Sequence, residues 1–266
     1  MLLRVAVLFW MLMSQSVQAV DVKGLYEVDV LAMSQSLADR DNAILHALEE
    51  VLGRVMVGVN VSADPVVQRV LAKPNDYVRE YQYALAQTTD RYNSQARTLR
   101  VLFDEQKLQA QLKHSALGLW NEIRPETLVW LVVEEQGMRQ FFNAEKMPLL
   151  QDALTQRTQH QGLPFLLPLM DMQEQTQLSV TEMLSPYPQP ILTASARYDV
   201  VSVLVGLLVN NNGCWTTEWT HYFDQRVRQW QGECKPLKQA VMVGVQGTYS
   251  GLSDYYAVKP DNNLSH

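Results

Sequence analysis

The sequence predicts an α/β (α+β) protein of two small mixed units, the second holding a buried sheet, an aromatic hairpin and a C-terminal helix. Three observations carry this. Leu128-Val129-Trp130-Leu131-Val132-Val133 and the largely apolar stretch Val200 to Val209 have strand length and read as strands covered on both faces. From Ser36 the period becomes helical: Leu37, Ile44, Leu45, Leu48, Val51, Leu52 and Val55 share a face that Asp39, Arg40, Asp41, Glu49 and Glu50 avoid. Asn212-Gly213 lies between two strand-like runs and is a hairpin turn, because both residues tolerate positive φ.

The first unit, residues 20–118, reads β-α-(α)-β-β-α. Val22, Leu25, Val28 and Val30 alternate loosely as a strand ending near Leu31. Ser36 is placed to cap the first helix, with Asp39 three residues on, close to a capping box. Ser62-Ala63-Asp64-Pro65 opens a shorter helix carrying Val66, Val67, Val70 and Leu71, with Pro65 suited to the first turn. Tyr77 to Gln87 and Thr98 to Phe103 form a strand pair across the polar stretch Thr88 to Gln95, and Asp104 to His114 is a helix with Leu108 and Leu112 inward. Gly118 to Pro125 reads as a linker.

The second unit, residues 123–257, begins with the Leu128 run. Pro148 to His160 is a helix and Pro164 to Leu169 a short strand. Val180 to Leu184 and Ile191 to Tyr198 are helical pieces separated by Pro186, Pro188 and Pro190. The Val200 strand, Cys214 to Phe223, and Arg226 to Glu233 follow. Lys235-Pro236 opens a last helix with Leu237, Val241, Val245, Leu252 and Tyr256 on its apolar side, and residues 258–266 form a mobile polar tail.

The amino-terminal residues set the compartment. Arg4, the apolar run Val5 to Met13, the polar Ser14-Gln15-Ser16 and the small residue Ala19 make a signal peptide over residues 1–19, cleaved after Ala19 so that the mature chain starts at Val20. The apolar run is far shorter than the ~20 residues of a membrane-spanning helix, and no second one follows, so no integral span remains after cleavage. The expected location is periplasmic. The net charge of −6 comes without clustered basic residues, which excludes a phosphate-tracking surface and nucleic acid as a partner.

Cys214 and Cys234 are the two cysteines, and in an oxidising compartment they are expected to form a disulfide. A hairpin turn centred on Asp224 sets the two directly opposite each other, with Glu218 opposite Trp230 and Thr220 opposite Arg228.

Catalytic signatures are missing. Gly247-Thr248-Tyr249-Ser250-Gly251 has its serine one place late for a nucleophile elbow and lies within a helix, so its small residues read as close packing. His46, His114, His160, His221 and His266 are too scattered for a metal site. Glu134-Glu135 ends a buried strand, where ligands of α/β sheets bind, but adjacent strand residues face opposite ways. No catalytic, metal or cofactor residue is assigned, and no cofactor is expected. On the aromatic hairpin Trp215, Trp219, His221 and Phe223 share one face. Two readings stand: the tryptophans pack beneath the last helix, or Trp230 with Arg228 forms an exposed interaction edge.

Several segments together resemble the exported proteobacterial family labelled domain of unknown function 2066. They are Val22-Lys23-Gly24-Leu25-Tyr26, Leu99 to Asp104, Arg124-Pro125 leading to Leu128-Val129-Trp130-Leu131, Gly162-Leu163-Pro164 to Leu169 with Asp171, Ala194-Ser195-Ala196-Arg197-Tyr198, and Trp215 with Trp219. The resemblance implies secretion and an α/β build, with no established reaction. The chain departs from the pattern at Gln161 and in its cysteine pair. The second half is also similar, at fold level, to the small α/β domain of the Tol–Pal propeller protein and to envelope lipoproteins that activate peptidoglycan synthases, domains that bind proteins. The leading expectation is a non-enzymatic periplasmic accessory or binding protein of the bacterial cell envelope, with an envelope protein as partner. The alternatives are a periplasmic hydrolase and a small-ligand carrier with a pocket between the units.

Overall fold

The structure is a computed structural model that describes residues 19–22, 24–58, 60–85, 96–121 and 123–258. The expected signal peptide, the polar stretch Thr88 to Gln95 and the tail beyond Val258 lie outside the described residues. The fold is mixed α/β, as the sequence predicts.

The first part of the chain runs β1 (Ala19–Asp21), β2 (Glu27–Ala32), α1 (Leu37–Val55), β3 (Met56–Val57), α2 (Pro65–Leu71), β4 (Val78–Leu85), β5 (Arg97–Phe103) and α3 (Glu105–Leu112), with short 3-10 turns at Val61–Ala63 and Pro74–Tyr77. The strand expected from Val22 starts later. Gly24, at φ +81°, turns the chain and its carbonyl accepts from Glu27 N–H at 3.0 Å before pairing begins. Helix starts follow side-chain chemistry. Ser36 Oγ accepts from Asp39 N–H at 3.2 Å, Asp64 Oδ1 from Val66 N–H at 2.8 Å, and Asp104 Oδ1 from Lys107 N–H at 3.0 Å. The antiparallel sheet β2-β5-β4 takes α1 on one face, where Ile44, Leu48, Val51 and Leu52 are buried with Leu99, Val101 and Phe103. Burying each such side chain contributes roughly 1.5–3 kcal/mol.

The expected linker is a packed seam. β6 (Gly118–Leu119) pairs with β3, and β7 (Ile123–Pro125) pairs with β1. Trp120 and Arg124, which the linker reading leaves loose, are 2% and 0% exposed. Local composition gave the turn residues their weight; long-range pairing with the amino terminus overrode it.

The rest of the chain builds one larger sheet. Its elements are β8 (Thr127–Glu135), β9 (Met138–Phe141), α4 (Pro148–Gln161), β10 (Phe165–Leu166), α5 (Met172–Gln177), α6 (Val180–Met183), α7 (Gln189–Ser195), β11 (Ser202–Asn211), β12 (Cys214–Phe223), β13 (Arg226–Lys235) and α8 (Leu237–Tyr256). The order is β10-β8-β11-β12-β13, with β9 folded back on the end of β8. β8 is parallel to both β10 and β11. Val129, Leu131, Leu204 and Leu208 pack with α4 and α8 on one face; Leu128, Trp130, Val203 and Val205 pack with α6 and α7 on the other. This two-sided cover explains the apolar runs. The β8–β9 turn passed unnoticed because it is Gln136-Gly137, and Gln136 holds φ +52°, a state glutamine seldom takes.

Helix α8 lies on the aromatic face of the hairpin. A Cβ at Gly244 would come within 2.4 Å of the Trp219 ring, and one at Gly247 within 2.3 Å of Trp230, so only glycine permits this approach. The Gly247 to Gly251 segment is a packing surface, as its sequence suggests.

Candidate binding crevice

The hairpin carrying the predicted site residues has a different register from the one expected. Its turn is the two-residue pair Asp224-Gln225, at φ +49° and +58°, so Trp219 faces Trp230 and His221 faces Arg228. Centring the turn on one residue had shifted each partner by one. A bulge between Trp215 and Thr217 then displaces the open end, where Cys214 and Cys234 form the disulfide with Cα atoms 5.3 Å apart. Trp230 is not an exposed edge: it is half-buried and its indole N–H donates to Val243 O at 3.1 Å. Arg228 is committed to Asp254 at 3.0 Å. Helix α8 thus covers part of Trp230, while Arg228 stays exposed in its ion pair.

Other candidates are also engaged internally. Glu134 pairs with Arg139 at 2.6 Å, while Glu135 Oε1 accepts from Asn210 Nδ2 at 3.0 Å. His46 and Glu49 form a surface pair at 3.0 Å. Among the described residues, no group of three or more His, Cys, Asp or Glu is arranged to hold a metal ion.

One serine–histidine pair exists that the sequence reading missed, because its members lie on neighbouring strands. His221 Nε2 is 2.8 Å from Ser202 Oγ, which is 2.8 Å from Thr127 Oγ1. All three are at most 1% exposed, and burial pushes His221 down to about 4. The third group bonds the serine, whereas a catalytic arrangement places it on the histidine. This is a sealed brace across β8, β11 and β12.

The seam holds two buried arginines. Arg124 places Nε on Asn121 O (3.1 Å), Nη1 on Gln161 O and Gly162 O (both 2.9 Å), and Nη2 on Arg54 O (2.7 Å) and Trp120 O (3.0 Å). Its guanidinium stacks over Trp120, 4.4 Å from the ring centroid. Arg54 donates to His160 O at 2.8 Å and Glu27 O at 2.9 Å, and pairs with Glu50 at 2.5 Å. Residues 160–162 form the carboxyl end of α4, whose partial negative charge suits two cations. Burial lowers the Arg124 pKa to about 10, which leaves it charged at neutral pH. The cleft of about 390 Å³ beside this seam is lined by Glu27, Asp29, Arg54 and Arg100, and Arg100 binds Asp29 at 2.8 and 2.9 Å. Its charges satisfy one another.

A different environment lies where β8 and β10 part. From β8 the chain crosses through α4 on one face to β10; from β10 it crosses through α5 to α7 on the other face to β11. Such a reversal leaves a crevice at the strand ends. Here it measures about 310 Å³ and is lined by Val129 to Leu131, Phe141 to Glu145, and Leu167 to Met170. Leu169, Met172 and Leu149, on its rim or a few residues from it in the chain, are 70%, 86% and 73% exposed. Its wall is rigidly braced. Leu169 N–H donates to Tyr198 Oη at 2.8 Å, Met170 N–H to Glu174 Oε2 at 2.6 Å, and Tyr198 Oη donates to Glu174, which is 1% exposed. Burial and the Glu174 contact push the Tyr198 phenol up to about 12. Arg197 joins Asp171 at 2.9 Å from outside. In sequence, Ala194 to Tyr198 and Asp171 stand out as motifs, yet nothing local says that they brace one loop.

A family model described as a domain of unknown function (DUF8605) matches residues 19–121. No curated protein matches the chain. Among solved structures, the C-terminal domain of LpoB from Salmonella enterica is similar over 41% of this chain and 80% of that one, at 14% identity and a TM-score of 0.26, a superposition too loose to carry an argument.

Proposed function

We propose that this is an exported protein of the bacterial cell envelope that acts by binding a partner protein and does not turn over a substrate. The carrying observation is the braced apolar crevice between β8 and β10, set among polar groups that are spent on one another. The disulfide between Cys214 and Cys234 supports an oxidising compartment. No helix among the described residues is long and apolar enough to cross a membrane. The leader pattern supports export, with cleavage after Ala19 leaving Val20 and Asp21 still paired to Arg124 and Ile123. The resemblance to domain of unknown function 2066 belongs to the same reading, as does the division into units 20–118 and 123–257.

Affinity capture from native periplasm with crosslinking tests this. One or a few envelope proteins should be recovered in proportion to the bait. Recovery of none at native abundance, or an uncleaved amino terminus in native material, overturns it. A small-ligand carrier is the second reading, favoured by the crevice volume, which sits at the low end of ligand pockets. The hydrolase reading finds less support, because the Ser202–His221 pair is sealed from solvent.

A further inference from the structure

Resting on the proposal that the protein acts by binding, we infer that the partner contributes an extended acidic segment that adds to the open edge of β13, apart from the β8–β10 crevice. β13 ends the larger sheet: β12 lies on one side of it and no strand on the other among the described residues. The side chains of Trp230 and Arg228 reach α8, but the main chain of β13 is only half paired. Phe223 and Arg226 close the two-residue turn, so they exchange both ladder bonds, as do His221 with Arg228 and Trp219 with Trp230. The residues between them, Val227, Gln229 and Gln231, therefore point their N–H and carbonyl groups away from β12. All three are exposed, and no backbone hydrogen bond meets them on that margin.

Sheets guard such edges with proline, lysine, bulges or short strands. Here the bulge opposite Trp215 to Thr217 protects only the end of β13 that leads to Lys235. From Arg226 to Gly232 the ladder is regular, and the strand holds neither proline nor lysine.

A second observation lies at the start of the same edge. Val227 is paired across the ladder to Tyr222 and is 55% exposed, with Val201 and Leu192 each 38% exposed. With Tyr222 they line a groove of about 380 Å³ between α7 and the turn end of the hairpin. An apolar side chain facing Val227 from an added strand would cover it and reach this groove. Open N–H and carbonyl groups at ladder spacing recognise a peptide main chain. Charge then selects the occupant. Arg226 to Gly232 carries two arginines and no acid, and Asp254 of α8 answers only Arg228. Arg226 lies over the Tyr255 ring at 6.0 Å and has no carboxylate partner among the described residues. Two copies joined edge to edge would bring cations together and gain no ion pair, whereas a segment with a carboxylate facing Arg226 gains one.

The probe is the capped peptide acetyl-Thr-Val-Thr-Glu-Ile-Glu-amide, designed to run antiparallel so that its isoleucine faces Val227 and its glutamates face Arg228 and Arg226. Titrated into the ¹⁵N-labelled full protein purified from periplasm, it should give saturating amide shifts concentrated at Val227, Gln229 and Gln231. N-methylation at its second threonine, whose N–H points into the ladder, should weaken binding roughly tenfold, as loss of one hydrogen bond does. N-methylation at the following glutamate, whose N–H points away, should be tolerated. Exchange of both glutamates for lysine should weaken binding several-fold. Gln229→Pro keeps the β12 ladder, because the N–H it removes faces outward, and should abolish the shifts. Arg226→Glu, an independent change at an exposed side chain, should weaken binding while preserving the folded spectrum. Equal effects of the two methylations, shifts centred elsewhere, or no saturation at millimolar peptide overturns strand addition. A dimer of the free protein that Gln229→Pro dissolves gives the edge to a second copy and overturns the partner segment. Capture of an envelope partner that is unimpaired by Gln229→Pro sinks this inference and leaves the binding function standing. Peptide binding without any captured partner does the reverse.

Discussion

The seam and the crevice are both built from backbone groups and neighbouring loops, yet they are finished in opposite ways. At the seam, the Arg124 guanidinium carries its donors into carbonyls of Asn121, Gln161, Gly162, Trp120 and Arg54, and that of Arg54 into carbonyls of His160 and Glu27. At the crevice, a strand margin stops pairing for three residues and is walled by apolar side chains and a strained methionine. Buried charge is no guide to function here. The charged site is the one that holds the fold together, and the apolar site is the one left incomplete.

The comparison breaks first at Arg124. Arg124→Ala should destabilise the protein by about 4 kcal/mol in urea denaturation, since several buried carbonyls lose their donors at once. A change below about 1 kcal/mol would mean that the seam is wet and its satisfaction incidental. Reduction of the disulfide comes next. A closed loop of 20 residues restrains the unfolded chain by about 3 kcal/mol, so Cys214→Ser with Cys234→Ser should lower the melting temperature.

The sealed brace sets a pH dependence of similar size. His221 titrates near 4 in the folded protein and near 6.5 when unfolded, so the unfolded chain binds the extra proton between those values. Stability is complete above about pH 6.5 and falls with decreasing pH, by roughly 2–3 kcal/mol at pH 4.5. His221→Gln should flatten that slope; an unchanged slope assigns the titration to another group. The smallest effect belongs to the crevice. Met170→Gly relieves the left-handed strain but loosens the wall and the unfolded chain, so stability in urea denaturation should move by less than about 1 kcal/mol. A large loss of stability would place Met170 with the seam residues, as structure and not site.

The sequence by itself determined every element whose cause is local. Ser36 announced its helix because a cap needs only its own next turn, and Pro65 marked the first turn of the next. The two-sided apolar runs announced β8 and β11, and Asn212-Gly213 announced their antiparallel neighbour. Two exported cysteines sufficed for the bridge. Tertiary structure alone decided what depends on residues distant in the chain. Arg124 looked like part of a linker because its partners lie at Arg54 and Gln161. Whether Trp230 is packed or exposed stayed open in sequence because a one-residue register shift and the glycines of α8 cannot be weighed from strand period alone. The crevice was invisible for the same reason: it lies where strand pairings stop, and only the assembled sheet shows where β10 and β9 part along β8.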